Sequence, residues 1–99
     1  MDIMIHYRDL ARSDALDDSI RRSVQRVLER FASRLTRIDV HVADESGPKG
    51  GIDKRCLIEA RPAGESAVSA EFLSNDAYRA VRGAVTRLRR VLTRRFERR

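Results

Sequence analysis

Residues 14–42, DALDDSIRRSVQRVLERFASRLTRIDVHV, change their apolar period midway. In the first part Leu16, Ile20, Val24, Val27, Leu28, Phe31 and Leu35 recur at spacings of three and four, which lays one stripe along a helix. In the last part Ile38, Val40 and Val42 alternate with Arg37, Asp39 and His41, the period of a strand with one wet face. A helix that feeds a strand is most of a β-α-β unit, and the missing strand lies just upstream. From Asp2 to Tyr7, Ile3, Ile5 and Tyr7 fall on one side and Asp2, Met4 and His6 on the other. Ser13, followed by Asp14, Asp17 and Asp18, offers an N-cap and acids that complement the helix dipole, so the helix is expected from there to about Leu35.

Downstream, Asp44 to Asp53 (DESGPKGGID) holds three of the five glycines and one of the two prolines, and reads as a flexible connection. A third strand is expected from Lys54 to Arg61, with Cys56, Ile58 and Ala60 in phase, and PAGE turns the chain into a fourth from Ser66 to Phe72. Ser74, with Asp76 two residues on, is expected to cap a last helix whose Ala77, Val81, Ala84, Val85, Leu88 and Leu92 face one way, with Gly83 on the exposed face. A helix running nearly to the end would span about 36 Å at 1.5 Å per residue, so its last turns are expected to project or fray. The order is β-α-β-β-β-α. The two apolar stripes can bury only against one sheet face, which gives an α+β two-layer sandwich: a four-stranded mixed sheet with both helices on one side, close in topology to a double-stranded-RNA-binding domain.

A chain of 99 residues makes one domain of minimal size, expected over 1–99, and leaves no room for a multidomain enzyme. The net charge of +6 is unevenly placed. Residues 1–74 hold 12 Lys and Arg against 13 Asp and Glu, whereas residues 75–99 hold nine Arg against Asp76 and Glu97. All but Lys49 and Lys54 of the 21 basic residues are Arg, which suits bidentate phosphate contacts, although codon usage rich in G and C gives the same bias. The single Cys56 fits a reducing compartment, and neither a leader pattern nor a long apolar run is present, so a cytoplasmic location is expected. No membrane partner is expected, because the stripe of the basic last helix has a sheet to cover.

On a wheel of 100° per residue Arg79, Arg87, Arg90 and Arg94 lie opposite the apolar stripe of the last helix, with Arg82 beside them. Like charges three and four residues apart repel unless an anion sits between them, and phosphate is the obvious anion. Arg22, Arg26 and Arg30 repeat the row more weakly on the first helix. Two such rows suit RNA backbone and shape, whereas the scarcity of aromatics disfavours stacking on bases. His6 and His41 are expected opposite Cys56 on the sheet, so no metal site or cofactor is expected. No nucleophile and base fall at a recognisable spacing and no phosphate loop follows a strand, so the expected function is binding, with no catalysis and no small-molecule substrate.

The strand MDIMIHYRDL, the helix ALDDSIRRSVQRVLERF, RIDVHVADE, KGGIDKRCLIEAR and DAYRAVRGAVTRLRRVL, with Asp76, Tyr78, Ala80 and Val81 opening the last helix, resemble the ribosome hibernation-promoting factor and ribosome-associated inhibitor A family. This family is also called sigma-54 modulation or ribosomal subunit interface proteins. The resemblance implies a protein, monomeric off the ribosome, that docks on the small ribosomal subunit through 16S ribosomal RNA. Its seat would be the channel of mRNA and the tRNA anticodon arms, where it silences translation in stationary phase or stress. It also implies RNA contacts by Arg87, Arg90 and Arg94, and by Arg22, Arg26 and Arg30, and a short form without the C-terminal dimerisation domain of long members. The glycine-rich loop and the apolar Phe72 and Leu73 depart from the family pattern. A general double-stranded-RNA-binding module and a protein-interaction domain using the open sheet face remain as alternatives.

Overall fold

In a computed structural model, which describes residues 1–45 and 53–97, the elements follow in the order β1 (Asp2–Arg8), α1 (Asp14–Leu28), a 3-10 turn (Glu29–Arg34), β2 (Leu35–Asp44), β3 (Lys54–Pro62), β4 (Val68–Ser74) and α2 (Ala77–Glu97). Strand order in the sheet equals chain order, with β1 parallel to β2 and the other two pairs antiparallel. The four-stranded mixed sheet with two helices is the α+β architecture expected from the periodicities. Most of the connection expected over Asp44 to Asp53 lies outside the described residues; at its base the Glu45 amide donates to the Asp53 carbonyl at 2.7 Å.

The core lies between sheet and helices. Leu16, Ile20, Val24 and Leu28 of α1 and Ala80, Val81, Ala84, Val85, Leu88 and Leu92 of α2 are buried against Ile38, Val40, Val42, Cys56, Ile58, Ala60 and Val68. Alternation along each strand sends the remaining side chains to the uncovered face, so one sheet side is apolar and covered while the other is polar and wet. Cys56 is on the covered side, where burial pushes its thiol up to about 12 and leaves it an inert core residue.

Helix starts are set by side chains. Ser13 Oγ accepts from the Leu16 amide at 3.0 Å, which is the expected N-cap. At the second helix the cap is Asp76, whose Oδ1 accepts from the Tyr78 amide at 3.2 Å; Ser74 Oγ accepts from the Asp76 amide and shapes the approach to the helix. Between β1 and α1, Tyr7 Oη donates to Asp17 Oδ1 at 3.1 Å and Arg21 Nε donates to Asp17 Oδ2 at 3.0 Å. Arg21, aided by Tyr7, holds the Asp17 carboxyl below the usual carboxylate range, while burial and the Asp17 contact push the Tyr7 phenol up to about 12.

Besides the cap of the second helix, which is Asp76 and not the expected Ser74, four expectations need correction. The first helix ends at Leu28: the stripe continues through Phe31 and Leu35, but the chain tightens to 3-10 and Leu35 already opens β2, where it pairs with Pro62. Tertiary pairing there overrides a period that the wheel alone cannot stop. The fourth strand starts at Val68 because Pro62 to Glu65 forms a turn, the Glu65 amide donating to the Pro62 carbonyl at 3.2 Å with Gly64 at φ 72°. Gly83 is not on an open face: the Phe72 ring lies against it, where a Cβ would collide with the ring. Phe72 is therefore apolar for a reason, as it covers the flank of α2. The end of α2 is also pinned, with the Phe96 and Phe31 ring centroids 5.5 Å apart and Arg95 Nη1 3.3 Å from Glu65 Oε1.

Candidate nucleic-acid interface

Both helices run back over the sheet in the same direction, so their C-terminal ends meet beside the 3-10 turn. Arginines fit there locally, because the carbonyl ends of helices favour cations, and Arg26 stands in the last turn of α1 and Arg94 and Arg95 in that of α2. The acids Asp14 and Asp17 occupy the opposite end, in the first turn of α1. Capping preferences thus polarise the domain along the helix axes.

At the basic end Arg30 leaves the 3-10 turn and reaches across to α2. Its Nη2 donates to Thr93 Oγ1 at 2.8 Å, and its guanidinium lies 4.7 Å from the Phe31 ring centroid. Thr93 Oγ1 donates in turn to the Arg89 carbonyl at 2.8 Å. The result is a cleft of 440 Å³ lined by Arg30, Arg89, Arg90, Thr93 and Arg94, with no carboxylate among its described lining. Arg34 closes one side of this region by stacking on Phe96, 3.7 Å from the ring centroid.

The other expected residues, Arg22, Arg26, Arg79, Arg82 and Arg87, lie away from this cleft. Arg79, Arg82, Arg90 and Arg94 are exposed on α2 and form no ion pair among the described residues. Arg22 and Arg26 are exposed on the far flank of α1, where with Met1, Gln25, Glu29 and Ala32 they line a separate depression. Arg87 is brought to neither: its Nη1 donates to the Glu71 carbonyl at 2.9 Å and its guanidinium covers the Phe72 ring at 4.8 Å, so it is spent on the edge of β4. Arg89 and Arg34 were missed by the reading of the sequence. Arg89 falls on the flank of the wheel, which matters only once another helix is known to lie alongside; the apolar pair Phe31 and Phe96 was the available signal.

The open sheet face has arginines too, and all but Arg61 are partnered. Arg37 Nε is 2.8 Å from Asp39 Oδ2, Arg55 Nε donates to Glu71 Oε2 at 2.9 Å, and Arg8 Nη2 is 3.1 Å from Glu45 Oε2. Arg37, against the upward push of desolvation and with help from the His6 contact, holds the Asp39 carboxyl below its ordinary range. His6 and His41 stack with centroids 4.5 Å apart, each beside a carboxylate, Asp39 and Glu59. They face away from the buried Cys56, and no group of three metal-ligating side chains forms among the described residues. No helix among the described residues is long and apolar enough to cross a membrane.

The chain is thus a small α+β sandwich whose helical side carries arginines with few carboxylate partners among the described residues. The family follows from comparison: residues 3–99 match the model described as sigma 54 modulation protein / S30EA ribosomal protein, and the chain belongs to that family. Among solved structures it is similar to a ribosomal subunit interface protein from Coxiella burnetii, at 18% identity and a TM-score of 0.83, over 98% of this chain and 99% of that one. It is also similar to the N-terminal domain of Protein Y from Thermus thermophilus, at 24% identity and a TM-score of 0.75, over 95% and 98%. At these identities the two structures establish the fold. No curated protein sequence matches the chain significantly.

Proposed function

We propose that this protein binds the small ribosomal subunit through phosphates of 16S ribosomal RNA, in the channel of mRNA and tRNA, and silences translation there during stationary phase or stress. The observation that carries the reading is the arginine surface of the two helices, centred on the cleft where Arg30 meets Arg89, Arg90 and Arg94. Family membership supports a ribosomal partner. Guanidinium groups without local carboxylates are free to take phosphate oxygens two at a time. Tyr78 is the one aromatic ring among the large exposed apolar side chains, so base stacking has little to work with. A cross-section of 24 × 19 Å suits a body that enters a channel. Arg22, Arg26, Arg79 and Arg82 extend the contact on either side, and the chain acts by occupancy, without a catalytic step.

Sedimentation of the tagged chain on a sucrose gradient of stationary-phase lysate tests this. The expected result is co-migration with small subunits, lost on charge reversal of Arg30, Arg90 and Arg94 in a chain that still folds. Unchanged co-migration of that triple variant would sink the assignment. Equal competition by bulk duplex RNA would instead mark a general double-stranded-RNA binder.

A further inference from the structure

The cleft between the 3-10 turn and α2 concentrates more positive charge than a single RNA phosphate can neutralise. Arg30, Arg89, Arg90 and Arg94, all exposed, line one shallow open groove. A phosphodiester carries one negative charge, and each of its neighbours on the strand is a whole nucleotide away. A terminal phosphate carries roughly 1.5 to 2 charges near neutral pH, and a di- or triphosphate chain gathers still more on adjacent phosphorus atoms. The cleft is also partly set in place before any ligand arrives. Arg30 is held by the Thr93 hydroxyl at 2.8 Å and by the Phe31 ring, and Thr93 is oriented by its own bond to the Arg89 carbonyl.

We propose that this cleft is a binding seat for the phosphate chain of a free di- or triphosphate, and that such an anion displaces RNA from it. Arg30 and Arg90 grip the chain from opposite walls, and Arg89 and Arg94 complete the neutralisation. Because the seat is shared with the proposed RNA contact, the protein's hold on RNA becomes sensitive to the concentration of free polyphosphate anions. The proposal rests on the reading of the cleft as a phosphate site, yet its primary test needs no ribosome.

The test is calorimetric titration of inorganic tripolyphosphate into the whole chain at fixed ionic strength, with orthophosphate and citrate as comparison probes. One site per chain is expected, with tripolyphosphate about tenfold or more tighter than citrate, which carries about one charge fewer on a carboxylate frame. Arg30→Gln and Arg90→Gln should each weaken binding about tenfold, whereas Arg61→Gln, the same charge change on the open sheet face, should stay within about twofold. Thr93→Val keeps every charge and frees Arg30, and should weaken binding about threefold. Equal affinity in the Arg30→Gln and Arg61→Gln variants, or equal binding of citrate, would overturn the seat by showing diffuse attraction only. In a second arm, tripolyphosphate added at constant free Mg²⁺ should release the chain from small subunits; retention would overturn the displacement. A chain that binds tripolyphosphate through Arg30 but never sediments with subunits would reject the ribosomal reading and leave the seat standing.

Discussion

The two faces of the molecule carry the same residue type to opposite ends. On the open sheet, Arg8, Arg37 and Arg55 each find a carboxylate through strand register, and the charges cancel where they stand. On the helices, Arg79, Arg82, Arg90 and Arg94 find none among the described residues, so positive charge is displayed there. Arginine content therefore does not identify a binding surface; the absence of local acids does. Helix repulsion that would be costly is softened by the carbonyl ends of both helices, which lie under the densest part of the cluster.

The largest effect that can break this contrast is in RNA affinity. Neutralising Arg30, Arg90 and Arg94 to Gln should lower the slope of log affinity against log salt by about 3, roughly one per lost phosphate contact, while neutralising Arg8, Arg37 and Arg55 should leave the slope unchanged. Filter binding of small-subunit RNA over a salt series reads both. Equal slopes for the two triples would erase the distinction between the faces.

Stability effects come next and belong to the opposite, acidic end. Asp17→Ala strands the Tyr7 hydroxyl and Arg21, and should cost about 1–3 kcal/mol in urea unfolding. Because the folded carboxyl is held below its free range, Asp17 contributes fully above the unfolded value near 3.9 and loses its contribution as pH falls through the folded one. The Asp17→Asn chain should accordingly lose less stability as the pH is lowered from about 5 to below the unfolded carboxylate value. Gly83→Ala gains roughly 1 kcal/mol of helix propensity but drives a methyl into the Phe72 ring, at about 1–3 kcal/mol. It should destabilise the wild-type chain and stabilise the Phe72→Ala chain, a change of sign visible in thermal melts. Arg87→Gln is the smallest: about 0.5–1.5 kcal/mol of stability from its bond to the Glu71 carbonyl, with RNA affinity falling less than for Arg90→Gln.

Arg87 also marks where the sequence stops being legible. The wheel places Arg87, Arg90 and Arg94 in one outward row, and outward they are, but a neighbouring strand edge claims the first and leaves the others. Strand order, parallel pairing of β1 with β2 and the shared helix side all follow from apolar period and connection length, which are local properties. The stop of α1 at Leu28, the partner of Gly83 and the passage of Arg30 to Thr93 depend on what lies across the fold, and no spacing along the chain encodes it. The candidate surface was readable as two rows; its centre, with Arg89, appears only when the two rows are brought together at one end.

The matching of strand order to chain order reaches into how the protein comes to exist. Each strand can pair with the one before it as synthesis proceeds from the N-terminus, but Cys56, Ile58, Ala60 and Val68 keep a bare apolar face until α2 has emerged and lies down on them. That final element is also the one that carries Arg89, Arg90, Thr93 and Arg94. A chain cut before α2 would lack its cover and its cationic cleft together, so the proposed polyanion contact would be available only once this sheet has been covered.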